Sequence, residues 1–484
     1  MNYSDKSKLE FFGGEKISFL PTVIYIGIAM FLAFNYDFLS MKSVIVGGSA
    51  GILVGFLFAK DKEKYWEVII SGIMQPGNAK LLFTFVFMGC FTKLLSYGQI
   101  GQGFVWISQT LNLSGGTVVL FIFLASMVIS MGCGTPITAI YAIVPILYPP
   151  GIILGANPAV LLGAIISGIF LGDNISPSSQ ITATAASMQT NSVTGISADP
   201  ITVLADRIKY VVFAGLISAI LFYMKTNGAE AVQSNISIGK LSNPKGLLML
   251  NPLGILLLVC VKTKNLLKGI TFGILSGLVI GYVSGLFGLT GIVNVQKGNV
   301  SGILFEGVYS MVDVVIGMMI LFSMIQIMVR GEGIQKASNW VTKFKFVQSP
   351  IGAELVIGVS CIVANILLSS IPLPAILLIS SFINNLGHRA NLHPSRRSYF
   401  LVGMMHNLSV VIPFSSVFVM SAMTMAQGLN QQYKFTNVKI SGFDIFSNSY
   451  YLLAMTFIGL LWIFVGLGRK YQSDNKETLA EQVR

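Results

Sequence analysis

The sequence predicts an all-α polytopic membrane protein with about 10–12 transmembrane helices, in two inverted repeats with broken or re-entrant helices. Three observations predict it. Apolar residues make up 54% of the 484 and charged residues 10%, mean hydropathy is +0.76, and runs able to cross about 30 Å of hydrocarbon recur along the chain. Between two such runs lies a polar stretch at 168–187, GIFLGDNISPSSQITATAAS, with an Asp, an Asn, a Pro, a Gln and several Ser and Thr. The second half of the chain then echoes the first at a fixed spacing.

Taken in order, residues 1–16 are polar, and helices are predicted at 17–34 and 43–58. Positive residues at 6, 8 and 16 and again at 60, 62 and 64 fit two crossings that start and end inside the cell. The run at 17–34 has no cleavage site beside it and reads as a first spanning helix, not a removable signal. Residues 65–78 form a short amphipathic piece led by Trp66. The apolar run 81–95 is interrupted by Lys93, which can snorkel, and 98–113 is mixed and interfacial. A clear span at 117–133 breaks into GCGTPITAIYAIVPILYPP at 132–150, whose Gly, Pro and Thr at 132–138 argue against regular helix. Residues 158–171 feed the polar stretch, and 210–224 close a first half at 1–225. A polar linker covers 226–245. The second half, 246–468, has spans at 246–261, 269–293, 314–329 and 351–368, and a short apolar piece at 373–383. A basic loop at 388–398, HRANLHPSRRS, precedes a polar-studded run at 403–416, and a last span covers 450–468. A charged tail, 469–484, is expected in the cytoplasm with the N-terminus, and the protein in the cell membrane.

Composition excludes some classes. The net charge of +12 sits mostly in short loops and at the ends, with no basic stripe and interleaved aromatics, so nucleic acid is not the expected partner. The partners expected are the lipid bilayer and a small inorganic or organic ion. Cys90, Cys133, Cys260 and Cys361 lie in apolar runs without CxxC spacing and read as buried thiols. The chain has no HExxH or P-loop motif and only three His, so no enzyme is expected.

The echo is specific. Gly98 precedes a polar stretch with Trp106, and Gly331 precedes one with Trp340. Asp173-Asn-Ile-Ser176 resembles His406-Asn-Leu-Ser409. The offsets are 331 − 98 = 233 and 406 − 173 = 233. Proline-broken pieces at 136–150 and 372–374 stand in corresponding places. Paired broken helices in two halves point to a transporter site near the midplane, and fit alternating access better than one open pore.

The chemistry then follows from the break. Irregular polar backbone survives at membrane depth only where protein buries it or a cavity wets it. An Asp there costs roughly 2.5–3.5 kcal/mol on insertion scales and marks a functional site. Asp173 is the first candidate for a cation or proton, and also suits a helix N-cap before Ser-Pro. Asn174, Ser176, Ser179 and Thr182 offer neutral oxygens, hard ligands that suit sodium, or serve as caps and helix–helix hydrogen bonds. A sodium ion would be held by Asp173, Asn174 and Ser176. Gln180, Thr135, His406, Asn407 and Ser409 are the candidate substrate-binding residues, with Thr138, Ser415 and Ser416 nearby. His406 is a titrating partner or a satisfied interior imidazole. Asp313 and Glu354 lie in or near spans as proton relays or wet helix ends; His388 and His393 read as surface groups.

The residues GTPITAIYAIVP (134–145), ANPAVLLGAIISGIFLGDNISPSSQIT (156–182) and DRIKYVV (206–212) resemble the NhaC family of sodium/proton antiporters, in the Ion Transporter superfamily. The family motif, G-D-x-x-S-P-x-S-D-T-T, is matched by Gly172, Asp173, Ser176, Pro177, Ser179 and Thr182. Its second Asp is Gln180 here and its first Thr is Ile181, so a carboxylate is missing, and His406 stands where a duplicate Asp would. The resemblance implies sodium/proton antiport by alternating access, a homodimer, and no cofactor beyond sodium and protons as coupling ions. The alternative is a sodium- or proton-coupled carrier of a small carboxylate or amino acid, because Gln180, His406 and the paired Asn-x-Ser elements suit a carboxylate.

Overall fold

The structure, a computed structural model, describes residues 8–36, 38–110, 116–133, 135–177, 179–226, 242–263, 265–296, 298–333, 336, 345–432 and 440–472. Many of its helices start where the sequence supplies a cap or a proline. The first half contains α1 (Leu20–Tyr36), α2 (Met41–Phe58), α3 (Lys62–Met74), α4 (Pro76–Tyr97), α5 (Ile100–Thr110), α6 (Gly116–Cys133), α7 (Pro136–Ile153), α8 (Pro158–Ile175), α9 (Gln180–Ser187) and α10 (Pro200–Thr226). The second contains α11 (Leu250–Thr263), α12 (Leu266–Val283), α13 (Leu289–Ile292), α14 (Ile303–Ser310), α15 (Val312–Arg330), α16 (Pro350–Leu367), α17 (Pro372–Arg389), α18 (Pro394–Met405), α19 (Val417–Gln432), α20 (Gly442–Ser447) and α21 (Tyr450–Phe464). One antiparallel hairpin, β1 (Asn294–Gln296) with β2 (Asn299–Ser301), pairs Val295 with Val300. Among the described residues seven α-helices open on a proline, whose fixed φ suits a first turn and whose missing N–H costs nothing there.

The chain is an all-α polytopic membrane protein. Among the described residues eight helices are long and apolar enough to cross a membrane, and four shorter apolar helices accompany them. In α7 and α8, 94% of the residues are buried, against 33% for α10, so α7 and α8 form the core and α10 runs along its rim. The α6–α8 contact is close because Gly168 and Gly172 face it. A Cβ on Gly172 would lie 2.3 Å from the Met127 carbonyl oxygen, and one on Gly168 2.4 Å from that of Phe123. Small residues of this kind let helix backbones approach where lipid gives no hydrophobic drive between helices.

Three consecutive helices recur at a near-constant spacing. The starts of α6 and α16 differ by 350 − 116 = 234, those of α7 and α17 by 372 − 136 = 236, and those of α8 and α18 by 394 − 158 = 236. Gln99 and Glu332, one residue after the echoing Gly98 and Gly331, both turn left-handed, with φ 58° and 55°. The halves also interlock: α7 packs on α19 and α17 on α9. The second stretch of the echo, with Trp340, lies outside the described residues, as do 227–241 of the expected linker and 473–484 of the tail.

Several expectations change. The proline-rich run is not broken at 136–150: α7 runs unbroken through Pro145, Pro149 and Pro150, the freed carbonyls being tolerated because neighbouring helices enclose this segment. The break falls before it, between Cys133 and Pro136. The 269–293 span stops at Val283, where Ser284 and a left-handed Gly285 (φ 71°) turn the chain. The 373–383 piece is the longer α17. Residues 417–432, which periodicity did not single out, form α19. The basic loop at 388–398 is the largest correction. Arg396 and Arg397 lie fully buried in α18, because Glu354, Asn384 and backbone carbonyls give them partners. His388 bonds the Thr190 carbonyl at 2.7 Å and His393 caps α18, so both are half-buried instead of free on the surface.

Candidate functional site

The polar stretch folds as the end of one helix and the start of another. α8 ends at Ile175, and Ser176 caps it with its amide on the Asp173 carbonyl at 3.2 Å. α9 starts at Gln180, where the Ser179 hydroxyl accepts from the Thr182 amide at 3.2 Å. Ser179 is thus the N-cap; Asp173 lies within the last turn of α8 and is not a cap. The negative end of one helix dipole and the positive end of the next therefore meet within a few residues.

Asp173 is 1% exposed. Its Oδ2 accepts from the Ser179 hydroxyl at 3.1 Å and lies 3.8 Å from His406 Nε2. Its Oδ1 has no partner, and neither ring nitrogen of His406 has a hydrogen bond. The His406 ring stands edge-on to Phe170, with centroids 5.0 Å apart. The two residues that the 233 spacing made equivalent thus face each other across the halves.

Arg207 on α10 is a candidate site residue that sequence reasoning passed over. It is fully buried, and its Nη2 donates to the Asn174 carbonyl at 2.8 Å and the Thr182 hydroxyl at 3.0 Å. Its Nε and Nη1 have no partner, and among the described residues no carboxylate lies within 4.0 Å of it. The signal available was an Arg at the head of an apolar helix.

The other predicted residues divide. Asn174 donates to the Tyr451 hydroxyl at 2.8 Å and keeps Oδ1 unpaired. Ser176 donates to the Met131 carbonyl at 2.9 Å. Asn407 and Ser409 do not reach Asp173: the Asn407 side chain holds the Ser409 amide and hydroxyl, and Asn365 donates to Ser409 at 2.9 Å. Ser416 caps α19, and Ser415 Oγ is buried without a partner. Asp313 is 37% exposed and sits 3.9 Å from Lys42, a wet helix end. Glu354, by contrast, is 1% exposed and held by Arg396 and Arg469, each at 2.7 Å, so it is no wet end.

A cavity of about 600 Å³ opens beside the break. Five helix starts line it: Gly77 and Asn78 of α4, Thr135 and Pro136 before and at α7, Ser179 and Gln180 at α9, Asn265 before α12, and Ile371 and Pro372 at α17. Among the described residues Lys80 is the one charged wall residue, and no carboxylate lines the cavity. Gln180 is exposed to it, and Thr135 joins Thr138 by a 2.9 Å hydroxyl contact. Asp173 reaches it through Ser179, which is both in the wall and bonded to the carboxylate. The proline starts of α7 and α17, one from each half, face the same space.

No protein-family model matches the chain, and no curated protein matches it in sequence. Among solved structures, it is similar to the YdaH transporter of Alcanivorax borkumensis, described as having an unusual topology, at 13% identity and a TM-score of 0.38, over 81% of this chain and 90% of that one. It is also similar to MtrF of Neisseria gonorrhoeae, described as illuminating a class of antimetabolite efflux pumps, at 13% identity and a TM-score of 0.41, over 85% of each chain.

Proposed function

We propose that this chain is a secondary transporter that couples the movement of a small organic anion, a carboxylate or an amino acid, to protons on the Asp173–His406 pair. The observation that carries the reading is the wall of the cavity. Among the described residues five helix starts and Lys80 line it, without a carboxylate. Each helix start presents about half a positive charge, so the space favours an anion over a bare cation. A volume of about 600 Å³ also suits an organic solute better than a lone ion.

Coupling follows from the shared hydroxyl. Ser179 donates to Asp173 and forms part of the wall. A carboxylate arriving at Ser179 or Gln180 competes for that hydroxyl. It thereby weakens the support of a charged Asp173 and favours a proton on the Asp173–His406 pair. The breaks at 176–179 and 406–416, in the two repeated halves, are the parts that would move in alternating access. We place the protein in the cell membrane as a homodimer, with both termini inside.

A second reading keeps the sodium/proton antiport that the NhaC resemblance implies. The unpaired Oδ1 atoms of Asp173 and Asn174 favour it, since both are free to meet a cation. The test is uptake of labelled carboxylates and amino acids into proteoliposomes under a proton gradient, with sodium and then with choline. Uptake of one anion driven by the proton gradient supports the first reading. Silence to every anion, with sodium alone moving protons, supports the second and overturns the first.

A further inference from the structure

We infer that Arg207 is a resident cation: its guanidinium fills the place a coupling sodium ion would take beside the α8–α9 break, which makes this transporter independent of sodium. The inference deepens the reading above, and rests on it only for the word transporter.

The ligands make the case. An oxygen site for sodium at this break would draw on a carbonyl at the end of α8, a hydroxyl in the first turn of α9 and a nearby carboxylate. Those groups are present, and the first two are already occupied by one Nη2, at 2.8 Å on the Asn174 carbonyl and 3.0 Å on the Thr182 hydroxyl. Asp173 lies within electrostatic reach of the same guanidinium without touching it. A buried charge without an ion pair is costly, and this one also leaves Nε and Nη1 without hydrogen bonds. A residue needed only for packing would not carry that penalty. A fixed positive charge meeting the end of α8 and the carboxylate explains it. An ion that cannot leave cannot be a coupling ion, so the proton on Asp173–His406 is the one exchangeable charge left at the break.

The test reads sodium binding and needs no substrate. Detergent-solubilised protein is melted in sodium chloride and in choline chloride, as wild type, Arg207→Lys, Arg207→Ser and Arg207→Gln. The expected result is no sodium effect on wild type or Arg207→Lys. For the neutral variants a saturable rise of about 1–3 °C is expected, abolished by adding Asp173→Asn. Folded neutral variants that ignore sodium overturn the inference. Should neither neutral variant fold, equilibrium binding of radioactive sodium to wild type decides: saturable binding above the choline background overturns the inference, and none above it supports it. A sodium-silent wild type that also fails to carry any anion would leave Arg207 in this role and sink the substrate reading alone.

Discussion

Arg207 and Arg396 carry the same side chain at the same complete burial, one on α10 and one on α18, in opposite surroundings. Arg396 is closed on every side. Nε meets Glu354 at 2.7 Å, Nη1 meets the Tyr399 hydroxyl and the Leu467 carbonyl, and Nη2 meets the Trp462 carbonyl at 3.1 Å. The rings of Tyr399, Phe400 and Trp462 surround it at 5.0–5.9 Å. Glu354 spends its other oxygen on Arg469. Arg207 uses one nitrogen of three, next to an aspartate and a histidine that are also incompletely bonded. A fully satisfied polar network rigidifies and specifies a packing arrangement. One with spare donors and acceptors beside a cavity has capacity for a ligand or a proton. The first cluster reads as scaffold, tying α16, α18 and the segment after α21, and the second as site.

That contrast can be broken by substitution. The largest expected effect is Glu354→Gln. It leaves Arg396 as an uncompensated buried charge, at about 3–5 kcal/mol, so gel filtration should show little folded protein. Normal yield and melting would remove the scaffold reading. Gly172→Ala comes next. Its Cβ would meet the Met127 carbonyl oxygen at 2.3 Å, forcing α8 off α6 for about 1–3 kcal/mol. Because Asp173 is the next residue, uptake should fall further than stability does; equal losses would blur the two clusters. Gln180→Ala should raise the half-saturation concentration for the anion about tenfold and leave the maximal rate, as expected for loss of one hydrogen bond to a charged group. An unchanged half-saturation value would take Gln180 out of the cavity's chemistry. The smallest effect is Lys470→Met, which removes a half-exposed partner 2.7 Å from Asp206. Such pairs contribute little, so melting should move by less than about 1 °C.

The sequence made the site legible where chemistry and setting clashed. An Asp among apolar runs marked 168–187, and the 233 spacing paired Asp173 with His406 before any geometry. One proline-led helix start, at Pro158, was read at its place. The prolines inside α7 misled, because a helix packed on all sides tolerates them. Arg207 sat in ADRIK, which has the composition of a wet helix end; only the approach of α8 and α9 shows that it is buried. Arg396 and Arg397 looked like loop residues because their partners are distant in sequence: Glu354 lies 42 residues from Arg396, and Thr190 lies 207 from Arg397. Asn407 and Ser409 carried the echo without its role, since Asn365 draws them into a separate local network.

The measurement that tests the account most directly is proton flux through Asp173→Asn in proteoliposomes with a pH-sensitive dye inside. The transported anion is added to one sample and sodium alone to another, beside wild type. The substitution preserves size, and the Ser179 bond can persist. The account predicts an anion-driven proton flux in wild type that falls about 100-fold or more in the variant, with melting nearly unchanged and no response to sodium in either. An undiminished flux in Asp173→Asn would contradict the claim that the open cluster is the site.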